Sequence, residues 1–68
     1  MSRLRLIESL NYQGDAVKIY RDAEWGEYRV RTFPGGVIYP AADYHTDDKA
    51  DAIRTAHFFL GRLSGGAA

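Results

Sequence analysis

The chain of 68 residues has no cysteine, one methionine, one tryptophan and two prolines. Without cysteine there is neither a disulfide staple nor a thiolate metal site. Nine Lys plus Arg offset nine Asp plus Glu, so the formal net charge is zero with neutral histidines. That balance excludes a strongly basic nucleic-acid tail and a strongly acidic one. No apolar run approaches the about 20 residues a membrane span requires. Glu8, Asn11 and Gln13 interrupt any signal-peptide core behind Arg3 and Arg5. The expected location is therefore cytoplasmic, with no membrane contact.

Catalytic chemistry is also missing. His45 and His57 are the only histidines, too few for a metal site of ordinary ligand count. Asp43, Asp47 and Asp48 can be drawn around His45 as a carboxylate–imidazole site. The simpler reading assigns Asp47 and Asp48 to a helix start and His45 to a strand end. There is no phosphate-cradling glycine loop and no nucleophile elbow. A domain this small has little room for a closed pocket of roughly 300–1,000 Å³, the size small-molecule sites need. The chain is not expected to be an enzyme, and no cofactor or metal is implied.

Hydrophobic residues make up 46% and charged residues 26% of the chain, as in soluble globular domains. The clearest element is a C-terminal helix. Thr46 suits an N-cap, Asp47 and Asp48 suit the positive helix end, and Gly65 and Gly66 follow. Ala52, Ile53, Ala56, Phe59, Leu60 and Leu63 then recur on one face at 3.6-residue spacing. Upstream, Ala16 to Arg21 and Glu27 to Phe33 alternate as strands, joined by a loop from Asp22 to Gly26. Pro34-Gly35 suits the centre of a type II turn, and Gly36 to Tyr39 opens a third strand that Pro40 should bend or end.

The expected fold is α+β: a three-stranded antiparallel β-meander packed against one C-terminal α-helix, in the order βββα, over residues 16–63. Residues 1–15 read as a short N-terminal helix or arm. Leu4, Ile7 and Leu10 form a helical stripe, although Leu4 and Leu6 also alternate as in a strand. Residues 64–68 are expected to be a frayed tail.

Period-two alternation turns Val17, Ile19, Tyr28 and Val30 toward the helix and Lys18, Tyr20, Arg29, Arg31 and Phe33 away from it. Tyr39 can join either side. The open face would then be basic and aromatic, with Asp43, Asp47, Asp48 and Asp51 gathered near the helix start. Cations that meet phosphates and rings that stack on bases are the ingredients of nucleic-acid binding. They are also common on any solvated sheet face. Trp25, at a loop tip, is either a lid on the small core or a partner anchor; for so small a core, the lid is the simpler reading. Phe58 falls nearly opposite the helix's apolar stripe. It is either exposed for a homodimer or partner contact, or packed beneath residues 4–12.

Two resemblances follow from these residues. Tyr20-Arg21, then Trp25-Gly26-Glu27-Tyr28-Arg29-Val30-Arg31, then an alanine-rich helix, resembles the three-strand-plus-helix DNA-binding modules of AP2 domains and of phage-integrase arm-binding domains. By that resemblance the sheet would enter the major groove with Arg21, Trp25, Arg29 and Arg31 as readers. In size and style the chain is also similar to small phage and plasmid accessory proteins, including anti-CRISPR and anti-restriction inhibitors. Those act by occupying a host complex. The leading expectation is thus a non-catalytic binding protein of a mobile genetic element that inhibits a host defence complex. The alternative is a nucleic-acid-binding domain. The binding candidates are Lys18, Tyr20, Arg21, Trp25, Arg29, Arg31 and Phe58. The partner would be a host protein or nucleoprotein complex, a second copy of the chain, or nucleic acid.

Overall fold

The computed structural model describes residues 4–63, and the expected tail at 64–68 lies outside them. The architecture is α+β, with four antiparallel strands rather than three and one C-terminal helix. Strands β1 (Leu4–Tyr12), β2 (Asp15–Asp22), β3 (Glu27–Phe33) and β4 (Tyr44–Thr46) follow one another across the sheet, and α1 (Lys49–Leu63) packs on one face.

The core lies between β2, β3 and α1. Val17, Ile19 and Val30 are fully buried against Ala52 and Ala56. The two alanines sit one helical turn apart, and their small side chains let the helix lie close to the sheet. Ile7, Leu10, Tyr28, Tyr44, Ile53, Phe59, Leu60 and Leu63 are partly buried around that centre. Each fully buried Val or Ile contributes roughly 1.5–3 kcal/mol against the entropy of ordering the chain. The apolar stripe expected for the helix is the one that packs.

The N-terminal expectation is corrected: Leu4–Tyr12 is strand β1, paired along its length with β2. The cause of the misreading is a β-bulge. Leu6 pairs with Tyr20 and Glu8 with Ile19, which leaves Ile7 as an extra residue. Before the bulge, Leu4 and Leu6 share the open face. After it, Leu10 sits opposite Val17 on the core face. The extra residue converts a period of two into a three-residue spacing that imitates a helical stripe. Tyr12 pairs with Asp15 across a two-residue turn in which Gln13 and Gly14 have φ of 50° and 85°, the signs a type I′ hairpin demands.

The third strand is displaced. Gly35 and Gly36 both have positive φ, 63° and 87°, and Val37 N donates to Pro34 O at 3.2 Å. The turn is therefore centred on Gly35-Gly36, not on Pro34-Gly35. Tyr39 N donates to Thr32 O at 2.8 Å. Pro40, which has no N–H to offer a ladder, then opens a second turn through Ala42. Pairing resumes only at Tyr44–Thr46, opposite Tyr28–Val30.

The helix cap is also corrected. Asp48, not Thr46, caps α1: its Oδ1 accepts from Ala50 N at 2.9 Å, and its carbonyl accepts from Ala52 N at 3.0 Å. Thr46 belongs to β4, and its Oγ1 accepts from Asp48 N at 3.2 Å. The Tyr44 hydroxyl donates to Asp51 Oδ2 at 2.6 Å, tying β4 to the first helical turn. That bond holds the Asp51 carboxyl below the usual range and pushes the Tyr44 phenol up.

Candidate functional site

The register places Lys18 opposite Arg31 and Tyr20 opposite Arg29 on the open face, with Phe33 at one end. Five of the residues expected there are thus gathered. The Arg31 guanidinium lies 5.5 Å from the Tyr20 ring centre and the Lys18 ammonium 4.9 Å from that of Phe33, distances at which a cation is attracted to the ring.

The face is not basic, however, and that expectation is corrected. Arg29 Nε lies 3.5 Å from Asp22 Oδ2, and its Nη2 lies 3.9 Å from Glu27 Oε1. Arg31 Nε lies 3.8 Å from Asp43 Oδ1. His45, which pairs with Arg29 across the sheet, sets Nδ1 3.4 Å from Glu27 Oε2. Three carboxylates thus share the face with Lys18, Arg29 and Arg31. The buried Nε atoms of Arg29 and Arg31 make no hydrogen bond, so these contacts are charge attraction at ion-pair distance. Asp43 belongs to this face rather than to an acidic cluster at the helix start. Asp22 and Glu27 were legible by parity, two positions beyond Tyr20 and two before Arg29. Asp43 arrives through a turn and left no periodic signal.

Asp22 has a second task. It is only 6% exposed, and its Oδ1 accepts from Glu24 N at 3.0 Å and Trp25 N at 3.3 Å. The carboxylate thereby folds the β2–β3 hairpin tip. Trp25 projects from that tip 71% exposed, so it is not a lid on the core. Arg21 lies on the helix side of the sheet, its guanidinium 5.0 Å from the Tyr28 ring centre. The four readers implied by the DNA-binding resemblance are therefore split: Arg29 and Arg31 on the open face, Arg21 behind it, Trp25 at the loop tip.

Phe58 is 59% exposed and leads to a surface the sequence did not indicate. A cleft of about 260 Å³ runs between Tyr39 and Ala42 on one side and Phe58, Phe59 and Leu63 on the other, with Thr32 and Arg62 completing it. The Arg62 guanidinium stands 5.7 Å from the Phe58 ring centre. Val37 and Ile38, which precede Tyr39, are exposed as well. Among the described residues, four of the seven exposed large hydrophobics thus belong to this cleft or the segment leading into it. A larger depression of about 370 Å³ lies at the β1–β2 hairpin end near Tyr12, Lys18 and Phe33. Its carboxylate, Asp15, already accepts from Gly35 N at 2.7 Å.

Among the described residues, no group of three or more His, Asp or Glu is placed to hold a metal ion, and no helix is long and apolar enough to cross a membrane. Fold and surface define a small α+β domain with one charge-balanced sheet face and one apolar cleft. No protein-family model, curated protein or solved structure matches the chain.

Proposed function

We propose that this chain is a non-catalytic binding protein that docks on another protein through the cleft between Tyr39 and Phe58. The observation that carries the reading is the exposure of Tyr39 and Phe58 on the two sides of that cleft, with Val37 and Ile38 exposed in the segment that leads into it. Aromatic side chains beside an arginine are the usual anchors of protein interfaces. Small size and resemblance in style support the finer reading of an accessory protein of a mobile element, one that inhibits a host defence complex by covering part of its surface. The nucleic-acid alternative keeps the cation–ring stacks of Arg31 and Lys18 in its favour. The three carboxylates on the same face weigh against it, because phosphate neutralisation supplies most non-specific affinity.

The test compares the native chain with the double variant Tyr39→Ser/Phe58→Asp, both checked for folding by circular dichroism. Each is used for affinity capture from host lysate and for titration of duplex DNA at low salt. Stoichiometric capture of one defined complex by the native chain alone supports the reading. Equal capture by both chains overturns it. So does salt-sensitive duplex binding that Arg29→Ala with Arg31→Ala abolishes.

A further inference from the structure

Three features stand open on the surface: the exposed indole of Trp25, the Glu24 carboxylate beside it, which has no cation partner among the described residues, and the apolar cleft. We infer that they belong together, and that the cleft of one molecule receives the Glu24-Trp25 hairpin tip of a second copy. This goes beyond the partner reading and concerns the same cleft, so self-association and partner binding would compete.

The two surfaces are complementary in three ways. The cleft, at about 260 Å³, is smaller than sites for drug-sized ligands, roughly 300–1,000 Å³, and suits one large side chain. Thr32, 3% exposed, lines it with an Oγ1 that is buried and has no hydrogen-bond partner. An indole is a flat apolar body carrying one N–H donor, the group such an oxygen lacks, and the bond forms once the Thr32 side chain turns its buried hydroxyl toward the cleft. The third match is charge. Arg62 has a ring contact but no carboxylate partner among the described residues, and Glu24 has no cation partner among them. Insertion of Trp25 carries Glu24 with it toward Arg62.

A molecule does not reach its own cleft in this way. Trp25 lies in the hairpin tip before β3 and Thr32 near the far end of that strand, and the stretch of β3 from Glu27 to Thr32 alone spans about 17 Å at a rise of roughly 3.3 Å per residue. The contact must join two molecules. Reciprocal exchange closes a dimer, and one-way insertion builds longer assemblies. Arg62 is in the last turn of α1, where the helix's own negative end repels a carboxylate. The guanidinium is therefore the attraction on which Glu24 depends, and reversing its charge should do more harm than neutralising it.

Sedimentation of the full chain from micromolar to millimolar concentration tests the inference, with fluorescence of its single tryptophan as a second readout. The expected result is a mass rising above 7.7 kDa with concentration and a parallel blue shift as the indole leaves water. Trp25→Ser should remove association. Arg62→Glu should weaken it about tenfold or more, and Glu24→Arg combined with Arg62→Glu should restore it. A chain that stays monomeric at millimolar concentration overturns the inference, as does association that Trp25→Ser leaves intact or that occurs without a blue shift. Either result leaves the capture experiment above to decide the partner reading separately. The blue shift of the unmodified chain decides the matter should a variant fail to fold.

Discussion

Two substitutions placed two residues apart on α1 test how the helix is seated. Ala56 is fully buried against the sheet, whereas Phe58 is 59% exposed. Ala56→Leu forces a branched side chain into the gap between α1 and the Val17, Ile19 and Val30 side chains. Overpacking of this kind costs about 1–3 kcal/mol. A domain of this length has a total stability of roughly 3–10 kcal/mol, so the loss is a large share. At about 4–8 °C per kcal/mol for a domain this small, the melting temperature should fall by at least several degrees. Phe58→Ser removes a larger side chain, but one with only two-fifths of its surface covered. Full burial of Phe is worth roughly 1.5–3 kcal/mol, so the loss should be about 1 kcal/mol or less. Urea denaturation followed by circular dichroism measures both. The larger side chain should give the smaller effect. If Phe58→Ser destabilises as much as Ala56→Leu, the helix does not present the face described.

Three further predictions concern two turns and the bond that ties β4 to α1. Gln13 is a non-glycine residue with φ of 50°, so Gln13→Asn should raise stability by about 0.5–1 kcal/mol; an unchanged urea midpoint would show that the turn is not of type I′. Asp22→Ala should cost about 1–3 kcal/mol by freeing the Glu24 and Trp25 amides and stranding Arg29. Asp22→Asn, which keeps the turn acceptor, should cost less, and equal losses would remove the hydrogen-bonding role. The Tyr44–Asp51 bond lowers the Asp51 pKa and raises that of Tyr44. Its contribution is therefore present between the ordinary carboxylate and phenol values, about pH 4 to 10. It is lost as pH falls through the depressed Asp51 value or rises through the raised Tyr44 value. Tyr44→Phe should accordingly be less stable than the native chain near neutrality, with the difference narrowing below about pH 4. A difference constant across that range refutes the assignment.

Much of this was written locally. The helix stripe from Ala52 to Leu63, the alternation of β2 and β3, and the hairpin between them follow from periods of 3.6 and two, which depend only on nearest-neighbour geometry. The outward position of Phe58 and the common face of Arg29 and Arg31 come from the same arithmetic. Strand β1 was hidden because its bulge at Ile7 inserts a residue into the alternation. The Gln13-Gly14 turn was a usable signal all the same. The fourth strand was misplaced because Val37, Ile38 and Tyr39 look like a strand, while the prolines and glycines around them move the pairing on to Tyr44–Thr46.

Sequence alone determined β2, β3 and α1 with their inward faces, and the lack of cysteine, because each depends on residue identity and local spacing. Tertiary structure decided the charge of the open face, since Asp43 reaches Arg31 only through a turn twelve residues downstream. It also decided the cleft, whose walls come from β3, the segment after it and the far end of α1. Coulomb attraction and apolar exposure act between neighbours in space, and no periodicity along the chain records which distant residues those will be.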